Sequence, residues 1–291
     1  MNRAAIFVAG LILISGGRSP LYGRPGAQAT PQVLIALFAL LAGTRMTSTP
    51  DVETIRRYEA PEATQAVAVD DQFFYAIGSA AIGKYDKRSG QRVGAWEGTP
   101  GGAVAHLNSG VVFGNELYAA HSNYPATPMV SSIEVFDTTR LAHVRSIPLP
   151  AGIGSATWVD RLDGDWWVTF AHYAGRGGER GKGPEHTTLV RFDGEWQRRG
   201  TWSFPAAVVE RWDGMSSSGG TWGRDRRLYT TGHHAPELYV LSLPESGRQL
   251  KLDAIIPIES EGQGIAFDRG AGLLYSIQRR THEVLVSKLP S

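Results

Sequence analysis

The chain has 291 residues, and its 29 basic and 28 acidic residues give a formal net charge of +1. So balanced a charge creates no long-range field that would attract nucleic acid or an anionic membrane, so neither is an expected partner. The absence of cysteine excludes disulfides, thiolate metal sites and cysteine nucleophiles. The 35 glycines and 16 prolines favour many short strands joined by tight turns.

The first fifty residues contain two apolar runs, Ala4–Ile14 and Val33–Ala42. Each run is too short to span a bilayer comfortably but has the length of the apolar region of a signal peptide. We therefore predict a leader or signal peptide over residues 1–50 and an exported protein, periplasmic or extracellular, with no stable membrane span. Two alternatives remain: translation could start near Met46 and leave a cytoplasmic protein, or the runs could form a membrane hairpin, which Arg18 and Arg24 disfavour.

One pattern recurs from about residue 62, with a period of about 45 to 55 residues. A period of this size indicates a solenoid or a propeller, and four short strands per period favour the propeller. The third strand of each unit is the clearest marker, and its five copies are AIGKYD, SIEVFD, TLVRFD, LYVLSL and VLVSKL. The sequence therefore predicts an all-β, five-bladed β-propeller that occupies residues 51–291 as a single domain.

The last blade has no outer strand of its own in the sequence, because the chain ends just after the third strand of that blade. The segment Glu53–Pro61, ETIRRYEAP, precedes the first blade and has no partner there. We predict that it supplies the missing outer strand and closes the ring, which removes two exposed sheet edges.

The innermost strand of a blade begins at the same face on which the second strand ends, so both positions surround one mouth of the axial channel. The first set of positions is Gln65, His106, Ser155, Ser218 and Gln263. The second set is Gly78, His121, His172, His233 and Gln278. Four of the eight histidines thus fall at equivalent positions on one face.

Imidazoles that converge from neighbouring blades are a plausible site for zinc, copper or iron. We predict His106, His121, His172 and His233 as the ligands. Second-strand ends lie farther from the axis than first-strand starts, so the four side chains need not all reach one ion. Three ligands with an open, water-filled position would still be a catalytic arrangement. The alternatives are a metal-free histidine base and histidines that only hydrogen-bond the channel lining.

Residues beside these histidines are candidates for proton transfer and ligand contact. Tyr124 and Glu237 are the predicted catalytic side chains. The predicted ligand-binding residues are Gln65, Asn108, Ser122, Asn123, Arg176, Gln263 and Gln278. Arg176 belongs to the Gly- and Arg-rich loop AGRGGERGKGPEH, which could cover a ligand and hold an anionic group, although such loops are more often solvated insertions.

The segments HLNSGVV, LYAAHSNYP, WWVTFAHY, SGGTWG, GHHAPELYVL and EGQGIAFD resemble a family of exported bacterial five-bladed propellers loosely labelled as cycloisomerases. The resemblance spans about Glu53 to Leu289 and implies the fold more directly than the reaction. Relatives carry an acidic residue after the histidine at the His233 position, where this chain has His234.

The leading hypothesis is a metal-dependent enzyme, a lyase, isomerase or oxidoreductase, that acts on a small polar or aromatic molecule at the histidine-lined mouth. The alternative is a propeller that binds a small molecule or a glycan without chemistry, with Trp158, Trp222 and Tyr124 as contact residues. Glycoside hydrolysis needs two inward carboxylates, and the mouth positions carry none.

Overall fold

A computed structural model describes residues 52–290, and the predicted leader at 1–50 lies outside this range. The described residues form twenty strands in five four-stranded antiparallel sheets, arranged as a five-bladed β-propeller. The prediction of the fold is confirmed. No helix in residues 52–290 is long and apolar enough to cross a membrane.

Each blade runs from an innermost strand outward in chain order. Blade one consists of β2 (Ala66–Val69), β3 (Phe73–Gly78), β4 (Ala81–Asp86) and β5 (Arg92–Glu97). Blade two consists of β6 (Val111–Phe113), β7 (Glu116–Ser122), β8 (Ser131–Asp137) and β9 (Ala142–Pro148). Blade three consists of β10 (Ser155–Leu162), β11 (Asp165–Ala171), β12 (Thr188–Phe192) and β13 (Arg198–Ser203).

Blade four consists of β14 (Gly219–Trp222), β15 (Leu228–Thr231), β16 (Glu237–Ser242) and β17 (Lys251–Pro257). Blade five consists of β18 (Ala266–Asp268), β19 (Leu273–Gln278), β20 (Glu283–Lys288) and the N-terminal β1 (Glu53–Glu59). Helical structure in the described range is limited to α1 (Ala206–Val209) and two single-turn 3₁₀ helices, Pro184–His186 and Glu210–Trp212.

The ring closes through β1, which pairs antiparallel with β20 from Glu53 opposite Lys288 to Glu59 opposite Glu283. Tyr58 of β1 then packs its ring 4.6 Å from that of Phe74 in blade one. The predicted closure by an N-terminal outer strand is therefore observed. It packs a hydrophobic side chain of the last blade against the first blade.

The hydrophobic core is divided among the five interfaces between neighbouring sheets. Each interface has its own cluster of buried residues, such as Phe74, Tyr85 and Tyr275 between blades five and one. Both faces of the middle strands are therefore covered, which explains why strands such as β3 and β11 are almost continuously buried. This packing fixes the innermost strands around the axis and leaves their two ends as the mouths of a channel.

Candidate functional site

A cavity of about 270 Å³ lies at the starts of the innermost strands. Its lining residues are Gln65, His106, Asn108, Tyr124, Thr157, Tyr173, Arg176, Met215, Ser218, His233, His234, Gln263 and Arg279. All five blades or their connections contribute. We call this cavity the histidine mouth.

Gln263 shows how the backbone builds this mouth. Its side-chain amide donates to the carbonyl of His233 at 3.1 Å, and its own carbonyl accepts from the Thr231 hydroxyl at 2.6 Å. These bonds fasten the start of blade five to the end of the second strand of blade four. A Cβ at Gly219 would lie 2.2 Å from the Gln263 carbonyl oxygen, so only glycine lets the two backbones approach this closely.

His106 lies between polar and aromatic neighbours. Its Nδ1 is 3.4 Å from the hydroxyl of Ser79, which in turn accepts from the Gln65 amide at 3.1 Å. Its ring stacks on Tyr124 with centroids 5.3 Å apart. Burial, followed by the charges of His121 and Arg279, lowers the pKa of His106 to about 4. The imidazole is therefore neutral at pH 7 and can accept a proton.

His233 and His234 form a pair of imidazoles on blade four. The Nδ1 atom of His233 lies 3.2 Å from Nδ1 and 3.0 Å from Nε2 of His234, with the rings edge to face at 4.2 Å. Burial, followed by the charges of His234 and Arg279, lowers the pKa of His233 to about 4. His233, like His106, is thus a neutral base at pH 7.

The charged groups on the lining are arginines alone. Among the lining residues that the structure describes there is no aspartate or glutamate, and neither Arg176 nor Arg279 forms an ion pair with a described residue. A more open neighbouring cavity shares His233, His234, Gln263 and Arg279 and adds Glu261 and Arg280, which pair with each other. The histidine mouth is consequently electropositive.

His121 and His172, two of the four predicted metal ligands, do not line the histidine mouth. Nε2 of His121 accepts from the backbone amide of Ala105 at 3.2 Å, and its Nδ1 lies 3.0 Å from the Ser132 hydroxyl. Nε2 of His172 lies 2.9 Å from the carbonyl oxygen of Ile153. Both imidazoles are buried: His121 contacts protein groups through both ring nitrogens, whereas Nδ1 of His172 has no hydrogen-bond partner among the described residues.

The register of the blades explains the position of His121. Tyr75, Tyr118, Tyr229 and Tyr275 occupy equivalent places in the pairing of first and second strands. Four residues after these tyrosines stand Ser79, Ser122, His233 and Arg279. His121 is one residue short of this position, and because side chains alternate along a strand it faces the other side of its sheet.

The predicted zinc, copper or iron set is therefore not assembled in one place. In residues 52–290 no group of three or more His, Asp or Glu side chains is arranged to hold an ion. His106, His233 and His234 all line the histidine mouth, but close nitrogen–nitrogen distances are found only between His233 and His234, and the other polar groups of the lining are amides, hydroxyls and guanidinium groups. Sites for these metals hold the ion with three or four nitrogen, sulfur or carboxylate ligands at once, and the described side chains at the histidine mouth are not arranged in this way.

Five of the predicted ligand-binding and catalytic residues besides the histidines do line the histidine mouth: Gln65, Asn108, Tyr124, Arg176 and Gln263. Four predicted residues do not: Ser122, Asn123, Glu237 and Gln278.

Those four side chains have structural contacts instead. Ser122 accepts from the Asn108 amide at 3.1 Å, and Asn123 bonds the backbone of Pro128 and Val130. Glu237 pairs with Arg211 and accepts from the Tyr239 hydroxyl. Gln278 donates to the Glu259 carbonyl at 3.4 Å.

The aromatic contact residues were only partly anticipated. Trp158 and Trp222 are fully buried, so they pack inside the propeller and cannot touch a glycan, whereas Tyr124 lines the mouth. Sequence reasoning missed Tyr173, Thr157, Met215 and Arg279. Alignment of the second strands on their tyrosines would have found Arg279 beside His233, since strand ends are less reliable markers than register.

Comparisons with known proteins bear on the fold alone. No family model and no curated protein matches the chain. The PQQ-bound aldose sugar dehydrogenase of Streptomyces coelicolor is 14% identical, with a TM-score of 0.50 over 83% of this chain and 82% of that one.

Two further solved structures have TM-scores below 0.5 and add no argument. A luciferin-regenerating enzyme is 11% identical, with a TM-score of 0.48 over 82% of this chain and 94% of that one. The hydrazine synthase of Kuenenia stuttgartiensis is 11% identical, with a TM-score of 0.45 over 77% and 83%.

Proposed function

We propose that the chain is an enzyme of the isomerase or lyase type that moves a proton on a small molecule bound in the histidine mouth. The observation that supports this is the pair His106 and His233. They come from different blades, line the same cavity, and have pKa values lowered to about 4, so both are neutral bases at pH 7. Bases this weak can take a proton from carbon only if the resulting negative charge is strongly stabilised.

Arg279 is the group that would stabilise that charge. Its charge acts on both His106 and His233, and it lines the same cavity without a carboxylate partner among the described residues. In the proposed step an imidazole accepts the proton from a carbon next to a carbonyl group and becomes imidazolium. The proton then returns to a different atom of the same molecule, so an isomerisation consumes no oxidant and no second substrate.

The exchange of carbon-bound hydrogen with solvent tests this proposal. The protein is incubated in D₂O with phenylpyruvate, 4-hydroxyphenylpyruvate and 2-oxobutyrate, and loss of the C3 proton signal is followed by ¹H NMR. We expect faster exchange than in buffer for at least one of the three. His106→Gln and His233→Gln should each slow the catalysed exchange by about 10²-fold or more.

His186→Gln is the matched control, since His186 is exposed and does not line the histidine mouth. It should retain the wild-type exchange rate. Exchange no faster than in buffer for all three compounds, or unchanged rates in both mouth variants, would overturn the proposal. Thermal unfolding of each variant shows whether the fold is intact.

A second candidate is binding without chemistry, and the apolar side of the cavity favours it. Tyr124 and Met215 each pack against the buried cluster that contains Tyr173, and all three residues line the mouth. Tight binding of an aromatic compound together with no solvent exchange would select this candidate over the enzyme.

Export is part of the proposal as well. Its support is the pair of apolar runs in residues 1–50, each of signal-peptide length. Fusion of residues 1–50 to an alkaline phosphatase that is active only outside the bacterial cytoplasm tests it. Phosphatase activity supports export, and an intact fusion protein without activity would contradict it.

A further inference from the structure

We propose that the histidine mouth takes a small monocarboxylate with a flat apolar body, whose carboxylate pairs with Arg279 and whose body lies against Tyr124, Tyr173 and Met215. This inference deepens the proposed function, because it names the substrate class of the same site. It rests on the distribution of charge and apolar surface around the cavity.

The charged side of the cavity comes from blades four and five. Arg279 directly follows β19 and shares the lining with His233 and Gln263. It makes no ion pair or side-chain hydrogen bond within the described residues, whereas its chain neighbour Arg280 is paired with Glu261. A guanidinium that faces a cavity without carboxylates is a site for an anion from solution.

The apolar side comes from blades two and three and the connection to blade four. Tyr124 stacks on His106 and meets Tyr173 edge to face at 5.2 Å. Met215 packs against the same cluster, and Tyr173 is almost fully buried. A flat ring or conjugated chain gains both hydrophobic and aromatic contacts on such a wall.

The number of donors favours a carboxylate over a phosphate. One guanidinium matches one carboxylate with two parallel hydrogen bonds. A phosphate dianion is usually held by several backbone N–H groups at a helix N-terminus or in a glycine-rich loop. The described lining includes no helix N-terminus, and from the glycine-rich loop it includes Arg176 but none of the glycines. A cavity of about 270 Å³ admits only a small molecule.

Calorimetric titration of the whole chain tests the inference with four probes: phenylacetate, its neutral analogue phenylacetamide, acetate, and inorganic phosphate. We expect phenylacetate to bind at least tenfold more tightly than each of the others. In Arg279→Gln the preference for phenylacetate over phenylacetamide should vanish. In Arg280→Gln, the matched control with the same change of charge one residue away, the preference should persist.

Three outcomes would overturn the inference: equal affinity for phenylacetate and phenylacetamide, an unaltered preference in Arg279→Gln, or phosphate as the tightest ligand. Phenylacetate has no ketone carbonyl to activate, so its binding does not depend on proton transfer. Selective binding with no solvent exchange would therefore reject the proposed function and leave this inference intact. Catalysed solvent exchange of 2-oxobutyrate, with no preference for phenylacetate over phenylacetamide in binding, would reject this inference and support the proposed function.

Discussion

The two mouths of the channel are built from opposite ends of the same five innermost strands, yet their polar groups are used differently. The strand starts form the histidine mouth. The strand ends line a second cavity of about 260 Å³ that includes Asp70, Asp71, Asp160, Asp268 and Arg269, and we call it the aspartate mouth. The charged groups of the histidine mouth are arginines, which lie beside neutral imidazoles, whereas those of the aspartate mouth are mainly carboxylates.

The carboxylates of the aspartate mouth mostly have partners in the protein. Asp70 accepts from two backbone amides and the Tyr75 hydroxyl. Asp160 accepts from the Thr221 hydroxyl, the Trp222 amide and Arg269, and Asp268 accepts from Lys87. Groups satisfied in this way hold blades together. The arginines and histidines of the histidine mouth retain hydrogen-bond donors and acceptors that no described residue uses. These groups can therefore bind a ligand.

The largest expected effect is on stability at the aspartate mouth. Asp160 is 2% exposed, so Asp160→Asn leaves the Arg269 guanidinium without its carboxylate partner. It also replaces one of two oxygens that together accept four hydrogen bonds by an NH₂ group that cannot accept. We expect a loss of about 3 kcal/mol in the free energy of unfolding, measured with urea. Asp71→Asn, an exposed position of the same mouth, should cost less than about 0.5 kcal/mol. Equal losses of unfolding free energy in the two variants would show that the hydrogen bonds and ion pair of Asp160 do not stabilise the fold.

The pH dependence of the free energy of unfolding should show whether the fold keeps the imidazoles of the histidine mouth neutral. Folding lowers the pKa of His106 and His233 to about 4, below the ordinary value of 6.5, so the unfolded chain binds protons more readily. Stability should thus be independent of these two groups above pH 6.5 and fall as the pH drops toward 4. In His106→Gln, which removes one of the two groups, the loss between pH 7 and pH 4.5 should be smaller by on the order of 2 kcal/mol. Parallel curves for the two proteins would show that the imidazoles are not held neutral by the fold.

A smaller effect is expected from the loop that carries Arg176. Gly177 has φ +81°, and a Cβ there would lie 2.4 Å from the Tyr124 ring. Gly177→Ala should displace Tyr124 or the loop and weaken phenylacetate binding by about three- to tenfold, as measured by calorimetry. Gly181→Ala is the control, with φ +77° in the same loop but open space at its Cβ. If both variants weaken binding equally, general loop strain and not the contact with Tyr124 is responsible.

The smallest effect is expected from metal removal. Because the described side chains at the histidine mouth are not arranged as a three- or four-ligand site, the solvent-exchange rate after treatment with EDTA should equal the untreated rate within experimental error. Elemental analysis before and after treatment checks that metal was removed. Stoichiometric zinc, copper or iron whose loss abolishes exchange would restore the original metal hypothesis.

The sequence predicts the fold well because each blade repeats its own local signals. The five third-strand markers coincide with strands, and Glu53–Glu59 pairs with β20 as the missing outer strand requires. The prediction of which residues reach the axis was less accurate. His106 and His233 line one cavity, but the alignment by strand ends put His121 and Gln278 in places that belong to Ser122 and Arg279.

The sequence by itself determined the number of blades, the closure of the ring and the face on which the histidines gather, because these follow from repeat length and strand order. Only the tertiary structure decided which imidazoles share a cavity, that Trp158 and Trp222 are buried, and that Arg279 faces the site. The physical reason is the two-residue period of a strand. A shift of one position leaves the strand intact but turns every side chain to the opposite face of its sheet.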